Sequence, residues 1–319
     1  AVATQAPRSA RPAAAPVSNV IPLVPRSWSP LVEICKGEAG RRPLFCVHGA
    51  GGNVLNFKLI SDRVGSDQPF YGLQAQGVDG RLPPLESVEA MATQYLEAIR
   101  QAVPHGPYRL AGYSAGGLIA LDMARQLREA GEAVELLVMI DTLSPEAARR
   151  SVPFLRKLWL LRHWSLGFML GWPARRRRGR QVEARYLQAR EQLARGEVLP
   201  PELVDFHLYR NFLAAQARYE PQPYPGGMTL FKACDCETQY LQAGRFLGWE
   251  THIQGEIRVT RIEGSHFSMM SEPGLSQLAQ ALRGELARVE SRDAPAPGPA
   301  HVAAPHGVRG WLRRFARER

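Results

Sequence analysis

The chain has 319 residues, of which 45% are hydrophobic and 22% charged, and a formal charge of +10. These are globular values with ample apolar residue for a sizeable core, which excludes a wholly disordered polypeptide; the length fits two domains, or one α/β domain with tails. An excess of 40 Lys and Arg over 30 Asp and Glu points naively to nucleic acid or an anionic membrane. The charge is concentrated, however: residues 1–30 carry +3, residues 147–182 carry +10 and residues 309–319 carry +4, which leaves −7 for the remainder. The body is therefore acidic, and with no recognition motif beside the basic segments, nucleic acid is not the expected partner.

Taken in chain order, residues 1–30 hold six prolines and an Ala-rich run and are predicted to be an extended linker. The prolines break up any apolar core of a secretory signal. An Arg-bearing, acid-free N-terminus loosely suggests a transit peptide, but its prolines argue against the helix such peptides form. A first residue that is Ala rather than Met suits an excised fragment. Strands are predicted at Leu31–Lys36, Pro43–His48, Pro69–Ala75, Tyr108–Gly112, Val134–Asp141, Met228–Ala233 and Ile257–Ile262. Several are continuous apolar runs, as strands buried on both faces should be. Val88, Met91, Ala92, Tyr95, Ile99 and Val103 share one helical face, as do Leu275, Leu278, Ala279, Leu282, Leu286 and Val289. A helix is also predicted over Ala115–Ala130.

This alternation predicts an α/β fold with a mostly parallel, doubly wound sheet. The globular domain spans residues 31–292, and residues 293–319 form a second Pro/Ala-rich linker with a basic tail. Between about 145 and 225 the pattern turns helical (Val152–Leu170, Gln181–Arg195, Glu202–Tyr219), which marks a lid insertion. Its most apolar stretch, Phe154–Trp172, is interrupted by Arg156, Lys157, Arg162 and His163, so no spanning helix is expected. Cys35, Cys46, Cys234 and Cys236 are too few for a disulfide scaffold, and Cys234-Asp235-Cys236 lacks zinc spacing, so all four are expected to be reduced and no metal is expected.

The strongest chemical signal is Gly112-Tyr113-Ser114-Ala115-Gly116, after a strand and opening a helix. A tight turn there exposes the Ser114 hydroxyl and aims a helix N-terminus at it. The bland alternative is a Gly-rich structural turn. A nucleophilic serine needs a base, and the base an orienting acid, in the chain order Ser, acid, His. His48 and His105 precede Ser114, His163 and His207 fall in the insertion, His252 follows no strand, and His301 and His306 lie in the tail. His266 remains, in the loop after the last strand, where doubly wound sheets place active-site groups. Asp141 and Asp235 both end strands, and position alone does not choose between them. The loop Val47–Asn53 (VHGAGGN) is glycine-rich enough for backbone amides to approach a reacting carbonyl; Ala50 N–H and Ala115 N–H would form an oxyanion hole. No Walker Lys-Ser/Thr follows it, so phosphate binding is not indicated.

The segments LFCVHGAGGNVLNF, GYSAGG, VMIDTLSP and EGSHFSMM, in that order, resemble a type I thioesterase domain of the α/β-hydrolase superfamily. Such domains release the product of nonribosomal peptide synthetases and related polyketide assembly lines. The resemblance covers about residues 30–290. It implies Asp141 rather than Asp235 as the triad acid, and a helical lid between the sixth and seventh strands. It implies acyl transfer from the phosphopantetheine arm of a carrier protein to Ser114, then hydrolysis or cyclisation, with no cofactor bound by this domain and a cytoplasmic, bacterial setting. The N-terminal stretch resembles the linker to an upstream carrier. A free-standing type II editing thioesterase, a general carboxylesterase or lipase, and a non-catalytic scaffold of the same fold are the other readings. Phe154–Trp172 would line an apolar acyl tunnel, pack the lid on the body, or touch a membrane surface. The run Arg175–Arg178 reads first as a solvated loop and second as an attractor of an acidic carrier protein.

Overall fold

The computed structural model describes residues 28–149, 172–235, 240 and 243–293, with side chains described from residue 183 in the insertion and up to residue 291 at the C-terminal end. The elements run β1 (Leu31–Cys35), β2 (Leu44–Val47), α1 (Phe57–Val64), β3 (Phe70–Leu73), α2 (Val88–Ala102), β4 (Tyr108–Tyr113), α3 (Gly116–Glu129), β5 (Val134–Ile140), α4 (Pro145–Arg149), α5 (Trp172–Ala194), α6 (Pro201–Arg218), β6 (Met228–Asp235), β7 (Ile257–Ser265) and α7 (Gly274–Asp293). Among the described residues these strands form one seven-stranded sheet, ordered β1-β3-β2-β4-β5-β6-β7. Only β1 is antiparallel to its neighbour; every other pairing is parallel.

Both faces of the sheet are covered, and the two-residue period of the strands decides which side chain goes where. Phe45, Val47, Leu110, Leu137 and Met139 point to the face packed by α2 and α3. Their alternates Leu44, Cys46, Ala111, Leu136, Val138 and Ile140 point to the face packed by α1 and α7. Each strand thus buries successive side chains on opposite sides, which is why it reads as an unbroken apolar run. At the edge where the parallel strands begin, Arg109 of β4 is 2% exposed. It is held by Glu135 of β5, by Glu290 of α7 at 2.9 Å and by the Arg42 carbonyl at 3.3 Å. That cluster closes the end of the sheet away from the candidate site.

The insertion leaves the sheet between its fifth and sixth strands, not between the sixth and seventh as the resemblance implied, because this sheet has seven strands. The expected helix Val152–Leu170 and the tunnel reading of Phe154–Trp172 fall on residues outside those described, Trp172 apart, whose backbone opens α5. That helix begins nine residues before the predicted Gln181 and absorbs Arg175–Arg178 into its backbone, which corrects the loop reading of the run. Arginine is a good helix former, so a run of it continues a helix as readily as it makes a loop. The unpredicted α1 buries Phe57, Ile60 and Val64 against α7, at the spacing of one helical face.

The pair α5 and α6 is tied to the body at several points. Ala189, Leu199, Val204 and Leu208 pack with Ala75 in a small core of their own. Asn211 Nδ2 donates to the Leu85 carbonyl at 2.7 Å. Beyond α6, the Tyr219 hydroxyl donates to Asp122 of α3 at 3.2 Å. Lid helices anchored this way frame one side of the cavity described next.

Candidate active site

Ser114 sits in the two-residue gap between β4 and α3. Its φ of 53° places a non-glycine residue in the left-handed region, at a cost of about 1–3 kcal/mol that the surroundings must over-determine. They do so by crowding. A Cβ on Gly112 would lie 2.3 Å from the Gly116 carbonyl oxygen, and one on Gly116 would lie 2.2 Å from the His48 carbonyl oxygen. Only glycine lets the turn close on itself and lets the first turn of α3 touch the end of β2. Ser114 N–H donates to the Ile140 carbonyl at 2.7 Å, and the Thr142 hydroxyl donates to the Ser114 carbonyl at 2.7 Å. Tying the turn to β5 in this way leaves the serine side chain free to project.

Ser114 follows β4, Asp141 follows β5 and His266 follows β7, so three parallel strands of one sheet, with β6 between the last two, deliver the three groups at their C-terminal ends. The Ser114 Oγ lies 2.9 Å from His266 Nε2, and His266 Nδ1 lies 2.8 Å from Asp141 Oδ2. Asp141 is 1% exposed. Its other oxygen accepts the Ala233 amide at 2.9 Å, so the buried carboxylate is hydrogen-bonded at both oxygens. A carboxylate at Nδ1 fixes the proton on that nitrogen and leaves Nε2 as the acceptor that faces the serine. Of the two acids that strand position alone leaves open, it is Asp141 that meets the imidazole. Asp235 ends β6 exposed and lies in register with Ser265.

These groups open onto a cavity of about 810 Å³, lined by Ala50, Ala115, Leu118, Leu213, Phe267 and Met270 among others. Ala50 and Ala115 both stand on its wall. Polar side chains are interspersed, including Asn53, Asn56 and Gln216. A space of this size falls within the range of pockets that bind organic ligands.

His48, on the same Gly-rich loop, is 1% exposed. Its Nδ1 donates to the Gly49 carbonyl at 2.5 Å, and its Nε2 accepts from the Tyr95 hydroxyl at 2.7 Å. Burial lowers its pKa to about 4, partly offset by the Gly49 carbonyl. The unfolded imidazole titrates near 6.5, so between those values the unfolded chain binds more protons than the folded one. The resulting stability is whole above pH 6.5 and is lost as pH falls towards 4, about 3 kcal/mol in all. Urea unfolding of wild type and His48→Gln at pH 7 and pH 4.5 is expected to show their difference shrink at the lower pH. An unchanged difference would contradict the assignment of a neutral, structural His48.

Thr142, Tyr113 and Tyr240 belong to the site but were not singled out by sequence. Tyr113 occupies the variable position of the G-x-S-x-G motif. Tyr240 lies between β6 and β7, where no motif marks it, and its hydroxyl is 3.2 Å from His266 Nδ1. Among the described residues no cluster of three or more His, Cys, Asp or Glu could hold a metal, and no helix is long and apolar enough to cross a membrane. Cys35, Cys46 and Cys234 are free thiols; Cys236 lies outside the described residues.

A serine on a strand–turn–helix elbow, with this sheet and strand order, defines an α/β-hydrolase. Residues 42–162 match the thioesterase-domain family, and the chain carries a thioesterase domain homologous to those of nonribosomal peptide and polyketide synthetases. Malpinin synthetase of Mortierella alpina is 30% identical over 261 residues, which is 79% of this chain and 3% of that protein. The polyketide synthase PksR of Bacillus subtilis is 42% identical over 117 residues, 37% of this chain and 4% of that protein. The chain thus spans only a few per cent of the length of these relatives. Among solved structures, the NocB thioesterase domain, in covalent complex with a fluorophosphonate nocardicin G analogue, superposes with a TM-score of 0.57 at 24% identity, covering 80% of this chain and 99% of that one. The RedJ thioesterase of Streptomyces coelicolor superposes with a TM-score of 0.55 at 21% identity, covering 82% and 98%. At these identities the structural likeness speaks for the fold.

Proposed function

We propose that Ser114, His266 and Asp141 are a catalytic triad that releases an acyl or peptidyl chain from the phosphopantetheine thioester of a carrier protein. The observation that carries this reading is the unbroken hydrogen-bond chain from the Ser114 hydroxyl through His266 to the buried Asp141, opening onto the cavity. His266 Nε2 takes the Ser114 proton as Oγ attacks the thioester carbonyl. The oxyanion meets the Ala50 and Ala115 amides, a stabilisation of about 3 kcal/mol for each well-placed donor. The C–S bond breaks, the thiolate leaves with the proton from His266, and an acyl-serine remains. Water, or an amine or hydroxyl of the chain itself, then repeats the cycle on the ester. The domain itself needs no cofactor for these steps.

The carrier is proposed to be acidic, drawn to the basic segment that includes Arg175–Arg178. The setting we infer is the cytoplasm, where such carriers work. Thioester and oxygen ester substrates with the same acyl chain separate this reading from a general carboxylesterase. The expected result is a kcat/KM for the acyl-pantetheine thioester at least tenfold above that of the oxygen ester; equal values, or a preference for the ester, would overturn it.

A further inference from the structure

Three aromatic rings surround the imidazole of His266. The ring of Tyr113 stacks on it, with centroids 5.3 Å apart and planes 17° apart. The ring of Tyr240 is 5.7 Å away at 38°, and that of Phe267 is 5.0 Å away, edge-on at 83°. Tyr113 adds a tether to the backbone: its hydroxyl donates to the carbonyl of His266 at 2.7 Å. Tyr113 immediately precedes Ser114 in the chain, so this bond spans 153 residues to fasten the histidine loop to the nucleophile's own strand. The loop needs such a fastening. Phe267, next to the histidine, is 75% exposed, and apart from the side-chain bonds of His266 the loop carries local bonds between Ser265 and Ser268.

We propose that Tyr113 is a positioning residue that sets the Ser114–His266 distance, through its stacked ring and its bond to the His266 carbonyl; this rests on the triad reading above. The orientation of a general base has two requirements. Asp141 sets the rotation and tautomer of the ring through Nδ1. It does not fix where the loop backbone stands relative to Ser114. The Tyr113 tether does, because both of its ends belong to the residues that must meet. Proton transfer demands a heavy-atom separation near 2.6–3.2 Å, and a loop that drifts by an ångström loses it. The stacked ring also gives the imidazolium formed by that transfer an electron-rich face. Burial beside the charge of Asp141 holds the Tyr113 phenol well above its usual pKa, so it stays a donor at any working pH.

The test is a four-protein comparison of the single-turnover acylation rate with a saturating acyl-pantetheine thioester, read by intact mass: wild type, Tyr113→Phe, His266→Ala, and the double variant. Tyr113→Phe keeps the ring and deletes the tether. It is expected to slow acylation about tenfold in the wild-type background, as loss of one well-placed hydrogen bond does. In the His266→Ala background the same change is expected to leave the residual rate unaltered, because nothing is left for the tether to position. An equal loss in both backgrounds would show that Tyr113 shapes the serine turn or the fold, and would overturn the proposal. So would no loss in either. A wild-type chain that forms no acyl-enzyme would instead overturn the triad reading, which keeps the two failures apart.

Discussion

Ser114→Ala is expected to lower the single-turnover rate on an acyl-pantetheine thioester by about a million-fold, the scale seen when the nucleophile of a serine hydrolase is removed. The size follows from the geometry. The alanine retains every backbone bond of the turn, from Ser114 N–H to Ile140 and from Thr142 to the Ser114 carbonyl. Alanine accepts the same positive φ at a similar cost. The cavity, the oxyanion amides and the His266–Asp141 pair should all persist, so the loss isolates the covalent step. A melting temperature within a few degrees of wild type is the accompanying expectation. Residual turnover within a hundredfold of wild type would mean that another group carries the reaction.

Asp141→Asn is expected to reduce kcat by about ten-thousand-fold, while Asp235→Asn changes it less than twofold. Asparagine matches the shape of aspartate, and its carbonyl oxygen still accepts the Ala233 amide. Its NH2 group then faces His266 Nδ1 and donates, which forces the imidazole proton onto Nε2. A protonated Nε2 cannot accept from Ser114, so the base is lost through its tautomer rather than its position. Asp235 is exposed at the end of β6, next to Ser265 rather than His266, and its charge is screened by solvent. Steady-state kinetics of the two variants, side by side, would decide the matter: a large loss at Asp235 with little at Asp141 would move the acid of the triad.

The parts of this molecule that repeat a physical pattern were legible in the sequence. Strands covered on both faces leave unbroken apolar runs, and α2 and α7 leave one-sided helical faces, so the strands and these two helices fall within a few residues of where periodicity puts them. Ser114 was legible because steric crowding demands glycine at 112 and 116, which writes the turn into the sequence. His266 was legible by its place after a strand. Strand position did not choose between Asp141 and Asp235, since both end strands, and only the family resemblance did; in the structure they are separated by the burial of Asp141 against Ala233, a contact 92 residues away in the chain. Tyr113 and Tyr240 stayed hidden for the same reason, as each acts through a partner more than 20 residues distant. The Arg175–Arg178 run misled because arginine suits a solvated loop and a helix equally. The +10 charge is likewise no property of the body: outside three basic segments the chain carries −7, and the largest of those segments falls largely within the sequence of the insertion.

Intact-protein and peptide mass spectrometry after brief incubation with an acyl-pantetheine thioester tests the central claim most directly. The account predicts a mass increase of one acyl group, localised to Ser114, that forms in wild type, decays as free acid or cyclised product appears, and is absent from Ser114→Ala. Turnover without an adduct on Ser114, or an adduct that forms equally in Ser114→Ala, would contradict it.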